Sequence, residues 1–210
     1  MKKKLTVKEI LESKGKKKLT QVYVHTPLEA NACEKSGIDM IVSSENNNFK
    51  FLRENAMNTF FTVGLQYGRY LTEYEIIKKS FQFLEMGADA IYCPQSARFI
   101  KAIADEGIPV VGHTGFIPYK LTQYGGFKAF GKNLKEVKKI LKEIYILQDS
   151  GAFATEIEIV PEEIVEIIYK ETDIFLIGMG SGTVCDAQYL FSEDILGYNK
   201  SHIPRHAKTY

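Results

Sequence analysis

Ile108-Pro-Val-Val-Gly-His-Thr-Gly-Phe-Ile-Pro118 decides the reading of this chain. Val110–Gly112 is apolar and β-branched, as a short strand buried on both faces must be, and it stops at His113 in a loop marked by Gly115 and Pro118. Upstream, Ala97–Glu106 has the length and apolar spacing of a helix, and Gly107 ends it just before the strand. Gly37, Gly87 and Gly151 occupy the same place in other repeats of the unit, where a left-handed residue turns a helix into a strand. Working outward, strands are expected over Leu19–His25, Asp39–Ser43, Thr59–Leu65, Ala90–Cys93, Val110–Gly112, Ala154–Ile159, Ile174–Gly178 and Ile195–Tyr198. Helices are expected over Leu28–Ser36, Phe49–Asn55, Thr72–Met86, Ala97–Glu106, Leu134–Ser150, Pro161–Tyr169 and around Asp186–Phe191. Thr6 and Glu9, and again Thr72 and Glu75, have capping-box spacing, and the first opens a short N-terminal helix. Eight strands alternating with helices indicate an α/β chain, and the number favours a (β/α)₈ TIM barrel over a doubly wound sheet. No linker divides residues 1–210, so one barrel domain is expected.

The 210 residues are 45% hydrophobic and 25% charged, the balance of a globular chain. A net charge of +1, with lysines mixed among acids, makes no case for nucleic acid. Met1-Lys-Lys-Lys4 is not followed by an apolar run and no stretch approaches a membrane span, so neither signal peptide nor membrane is expected. Three scattered cysteines (Cys33, Cys93, Cys185) suggest a reducing, cytoplasmic setting. No CxxC or His-x-x-x-His spacing suggests zinc.

In such a barrel, function gathers at the C-terminal strand ends. These are His25, Ser44 with Glu45, Gly64, Cys93, His113, Glu158 and Gly178-Met-Gly180. Neighbouring strands lie about 4.8 Å apart, which lets His113 and Glu158 face one reacting atom as an acid–base pair. The competing reading is a structural histidine beside a rim charge. Gly178-Met-Gly-Ser-Gly182, read as a turn between a strand and a helix, could bind an anion through its backbone N–H groups, or be a tight turn only. Cys93 is either a nucleophile or a small buried apolar residue.

From His113 onward the residues resemble a known family. Gly107-Ile-Pro-Val-Val-Gly-His-Thr-Gly-Phe-Ile-Pro118, Tyr124-Gly-Gly-Phe-Lys128 with Gly131, Ile157-Glu-Ile-Val-Pro161, Ile177-Gly-Met-Gly-Ser-Gly182, Asp186 with Gln188, and His202-Ile-Pro-Arg205 stand in the order found in ketopantoate hydroxymethyltransferases. That family lies in the phosphoenolpyruvate mutase/isocitrate lyase superfamily of barrels. The resemblance implies that a magnesium-type ion chelates a small 2-oxo acid, which is deprotonated and adds to the one-carbon unit of methylenetetrahydrofolate. By position, it makes Glu158 the acid–base residue and His113 the active-site histidine, and it implies a homo-oligomer.

Other positions depart from the family. Its strand-two metal aspartate falls on Ser44, with Glu45 one residue away and, by the pleat, on the opposite face. Its strand-three aspartate falls on Gly64, and its strand-four Lys-x-Glu-Gly on Tyr92-Cys-Pro-Gln95. A hard dication needs several oxygen ligands, so no metal ligand is assigned. The remaining candidates for substrate contact are Ser44, Glu45, Tyr92, Cys93, His25, Gly180 and Ser181. Three readings follow: a diverged enzyme working beside a carboxylate or 2-oxo group, the family reaction with a rebuilt metal site, or a non-catalytic binding or assembly protein.

Overall fold

A computed structural model describes residues 3–201 and 203–210. Met1 and Lys2, and His202 of the last matching motif, lie outside the described residues. Thr6 and Glu9 cap each other, with Glu9 N–H on Thr6 Oγ1 at 3.2 Å and Thr6 N–H on the Glu9 carboxylate at 2.9 Å. This starts α1 (Val7–Ser13), whose Ile10 packs, with Leu5 and Val7, into the apolar cluster at the lower end of a barrel.

The barrel is built in chain order from β1 (Leu19–Tyr23), α2 (Pro27–Ser36), β2 (Met40–Ser44), α3 (Phe49–Glu54), β3 (Phe60–Gly64), α4 (Glu73–Glu85), β4 (Ala90–Tyr92), α5 (Ala97–Asp105) and β5 (Val110–Gly115). It continues through α6 (Leu121–Tyr124), α7 (Leu134–Asp149), β6 (Ala154–Glu158), α8 (Glu162–Glu171), β7 (Phe175–Met179), β8 (Ala187–Phe191) and α9 (Ser192–Ile195). The eight strands are parallel, pair in sequence and close β8 onto β1, so the expected TIM barrel is the fold. Side chains alternate between two apolar layers, as the two-residue period of a strand requires. Leu19, Met40, Phe60 and Phe175 point inward, whereas Ile41, Phe61, Val63 and Leu176 meet the helices. At Gly151, which ends the α7 turn with φ +85°, a Cβ would lie 2.7 Å from that of Ala104; only glycine fits there.

Three expectations need correction. The segment around Asp186–Phe191, expected as a helix, is strand β8. Ile195–Tyr198, expected as a strand, is the end of α9 and the turn beyond it. Residues 180–186, all described, form no helix. The physical reason lies in Asp186, which is buried and accepts hydrogen bonds from Leu176 N–H (2.9 Å), Tyr169 Oη (2.8 Å) and Lys14 Nζ (3.0 Å). Those bonds hold the connection against the start of β7, and Cys185 fills the space beside Gly178, where a Cβ would lie 2.7 Å from its Sγ. An extended strap thus covers β7 where a helix would otherwise lie. The third correction is that β5 does not stop at His113 but runs to Gly115, pairing Gly115 with Glu158. No helix among the described residues is long and apolar enough to cross a membrane.

Candidate active site at the barrel mouth

Alternation along β6 turns Ala154, Glu156 and Glu158 inward, and alternation along β5 does the same for Val111 and His113. His113 stands opposite Glu156 in the register, and Glu158 two residues further toward the mouth. The imidazole sits among three partners. Its Nε2 is 3.0 Å from the Phe116 carbonyl oxygen and 3.2 Å from Glu158 Oε2; its Nδ1 is 2.6 Å from Tyr92 Oη. A carbonyl oxygen only accepts, so Nε2 carries a hydrogen. Glu156 Oε2 lies 3.8 Å from Nδ1, and Glu156 Oε1 accepts from Gln21 Nε2 across the barrel at 3.3 Å.

Burial alone would lower the His113 pKa, but the hydrogen bond to Glu158 and the charges of Glu156 and Glu158 more than reverse this and raise it above the ordinary imidazole value. Burial pushes the Glu156 carboxyl up to about 7; His113 opposes this and Glu158 adds to it. Tyr92 is driven well above the usual phenol range by burial and then by Glu156, so it keeps its proton. With neutral His113, Tyr92 therefore donates to Nδ1. With imidazolium, Nδ1–H donates to Tyr92 and the phenol hydrogen is free to turn into the cavity.

The backbone under Glu158 is clamped. Its carbonyl accepts Phe116 N–H at 2.8 Å, a close approach that only Gly115 permits, since a Cβ there would lie 2.5 Å from that oxygen. The next residue, Ile159, has φ +50°, a strained conformation for a β-branched side chain. Bonds from Ile159 N–H to Met179 O and from Phe130 N–H to Ile159 O hold it there. Ser181 Oγ accepts Val160 N–H at 3.1 Å and donates to Ile157 O at 2.8 Å, tying both flanks of Glu158 to the end of β7.

The sequence candidates divide according to the pleat. Ser44, Tyr92, His113 and Glu158 line one cavity of about 380 Å³, with Gly64 beside them. Glu45 and Cys93, each one residue further along its strand, do not line it. The Glu45 carboxylate takes Gln66 N–H at 2.6 Å, the Tyr70 hydroxyl and, at 3.7 Å, Arg69. Cys93 is fully buried in the outer layer, and burial pushes its thiol up to about 12, which leaves no thiolate near neutral pH. His25 pairs with Glu193 at the rim and packs edge-on against Tyr23. The strand–turn–helix setting expected for Gly178–Gly182 is corrected: no helix follows, and the adjoining Thr183 N–H and Oγ1 both meet the Glu162 carboxylate at 2.7 Å. Gly180 is covered by His206, whose Nδ1 lies 2.6 Å from where a Cβ would stand.

Glu156, Tyr189, Tyr23 and Phe191 also line the cavity and were not singled out from sequence. The signal for Glu156 was present: Glu156-Ile-Glu158 spaces two carboxylates by one strand period. None of the lining residues is Lys or Arg. Among the described residues no cluster of three or more His, Cys, Asp or Glu side chains is arranged to hold a metal ion. At the ends of β2 and β3, Ser44 and Gly64 offer one hydroxyl between them, and Glu45 is committed elsewhere. This donor set does not fit a hard dication.

The family model described as "Ketopantoate hydroxymethyltransferase" matches residues 47–210. A 3-methyl-2-oxobutanoate hydroxymethyltransferase of Kosmotoga olearia is 32% identical over 230 residues, covering 98% of this chain and 86% of that protein. One from Clostridium botulinum is 36% identical over 166 residues, covering 77% and 60%. The crystal structure of 2,3-dimethylmalate lyase, a PEP mutase/isocitrate lyase superfamily member, matches with a TM-score of 0.59 at 12% identity, over 82% of this chain and 72% of that one; this is a likeness of fold.

Proposed function

The chain belongs to the ketopantoate hydroxymethyltransferase family, and from that premise we propose that it is a diverged enzyme of this type, acting on a small 2-oxo acid by Glu/His acid–base chemistry without the family's magnesium site. Glu158 is the base that removes the hydrogen beside the carbonyl. His113, as imidazolium beside the Glu158 carboxylate, donates to it through Nε2 and sets the Tyr92 hydroxyl toward the carbonyl oxygen. Tyr92 then donates to the oxygen on which the enolate charge grows, and uncharged Ser44, Asn46 and Gln66 face the substrate carboxylate. The enolate carbon makes or breaks the C–C bond. The resemblance names methylenetetrahydrofolate as the one-carbon donor. Tyr23, Tyr189 and Phe191, with neighbouring rings 5.0 and 5.4 Å apart, form an apolar wall for the hydrocarbon part of the substrate.

One observation carries this reading. The titratable pair at 3.2 Å lies in the cavity wall on the β5–β6 side, while the β2–β4 side of the same cavity presents no carboxylate. The test is solvent deuterium exchange at the hydrogen beside the carbonyl of 3-methyl-2-oxobutanoate, followed by NMR with EDTA-treated protein. Exchange is expected without added metal, and Glu158→Gln should slow it roughly 10²–10⁴-fold, the usual contribution of a positioned base. Exchange that requires added Mg²⁺ would favour the family reaction with a rebuilt metal site. No exchange with or without Mg²⁺ would favour a binding protein, and a Glu158→Gln rate equal to wild type would exclude Glu158 as the base.

A further inference from the structure

We propose that Glu156 is a second oxyanion donor of this site, a neutral carboxylic acid on the cavity floor whose O–H, together with that of Tyr92, meets the oxygen on which the enolate charge develops. The inference rests on the enolisation reading above and names a residue that reading does not use. Glu156 lines the same cavity as Tyr92, His113 and Glu158, on the inward face of β6 one strand period below Glu158.

The surroundings of Glu156 fix which form it takes. The residue is 5% exposed. A carboxylate has about four acceptor sites to satisfy, yet the hydrogen bond described to this one is the long 3.3 Å contact from Gln21. His113 Nδ1, at 3.8 Å, is beyond hydrogen-bond reach and already faces Tyr92. The groups around it are Gln21 from β1, Tyr92 from β4, His113 from β5, Glu158 from its own strand, Ile177 beside it on β7 and Tyr189 from β8. Among these the charged ones are a single cation, shared by two carboxyl groups. Burying a second anion with so few donors is unfavourable, and taking up a proton removes the penalty. Burial accordingly holds the Glu156 carboxyl near 7. Glu156 lines the cavity, so its hydrogen is within reach of a ligand there. A carboxylic acid kept neutral by a dry site is an effective donor to an oxyanion.

The step balances without a further reagent. The Glu158 carboxylate takes the hydrogen beside the carbonyl, the C–H electron pair becomes the new C=C bond, and the carbonyl π pair moves to oxygen. Glu156 shares its hydrogen with that oxygen and keeps it when the carbonyl re-forms.

The experiment uses the full chain, EDTA-treated, with 3-methyl-2-oxobutanoate as the probe. It compares wild type with Glu156→Leu and with the isosteric Glu156→Gln, which keeps an N–H donor. Infrared spectroscopy of the free protein should show a protonated-carboxyl band that fades as pH rises through about 7 and is missing from Glu156→Gln. Deuterium exchange should fall roughly 10²-fold in Glu156→Leu and stay within about tenfold of wild type in Glu156→Gln. The wild-type rate should decline with pH together with the band, and Glu156→Gln should lose that component. If Glu156→Leu does not fold, the pH profile of Glu156→Gln decides alone. Wild-type exchange that is unchanged in rate and pH profile by the folded variants overturns the inference and leaves the proposed function standing. Absence of exchange by wild type overturns the proposed function, and this inference with it.

Discussion

The two sides of the barrel mouth are built differently. On the β5–β6 side, a buried histidine lies 3.2 Å from the Glu158 carboxyl group and 3.8 Å from that of Glu156. On the β2–β4 side, the inward positions are Ser44, Gly64 and Tyr92, and the nearby carboxylate, Glu45, is turned outward and bound to Tyr70 and Gln66. The first side carries imidazole and carboxyl groups; the inward strand residues of the second carry hydroxyls alone. In the proposed reaction the β2–β4 side of this mouth offers a developing negative charge O–H groups in place of a metal cation, a contrast that can be broken from either side.

The largest change should come from giving the β2–β3 ends their carboxylates. Ser44→Asp with Gly64→Asp has room, since a Cβ at Gly64 meets only ordinary contacts at 3.5 Å from Ser43 O and Tyr92 Cδ1. A calorimetric titration with Mg²⁺ should be flat for wild type and show a binding isotherm for the double variant. A wild-type isotherm would dissolve the contrast. Next, Tyr92→Phe removes the donor that joins the two sides. Exchange should fall roughly 10²–10³-fold, as for loss of one oxyanion donor, with little change in KM. An equal loss in KM would mean that Tyr92 binds ground state and enolate alike.

A third effect appears in stability alone. The Glu156 pKa is raised on folding, from 4.5 to about 7, so the folded state holds a proton that the unfolded chain releases between those values. Stability therefore falls as pH rises across that window, by about 3 kcal/mol. His113, also raised, adds a loss in the same direction as pH climbs through its folded pKa. Denaturant titrations on either side of the window should show the decline in wild type and a smaller one in Glu156→Gln. Smallest, Ser181→Ala leaves Val160 N–H and Ile157 O without their shared partner and should lower stability by about 2 kcal/mol. It should loosen Glu158 without touching the β2–β4 side.

Much of the fold was legible because glycines at helix ends and short β-branched runs mark each unit locally. The last unit was not. The expectation that a helix follows every strand turned Ala187–Phe191 into a helix, and the count of eight was reached with the wrong final segment. What makes that segment a strand is tertiary: its pairing with β1 and the buried bonds of Asp186. At the site, His113 and Glu158 were visible as strand-end residues. Glu45 and Cys93 were equally near strand ends, and face is what separates them from Ser44 and Tyr92. A one-residue difference reverses direction in a pleated strand, so only an accurate strand boundary tells them apart. The same period, applied to Glu156-Ile-Glu158, would have found the second carboxylate.

The left-handed Ile159 has a consequence for laboratory evolution. A β-branched residue there stores on the order of 1–3 kcal/mol, which glycine or asparagine would release. A screen that rewards heat resistance alone should therefore reach Ile159→Gly or Ile159→Asn early. The survivors would melt later and turn over more slowly, because Glu158, the proposed base next door, has lost the rigid backbone that aims it.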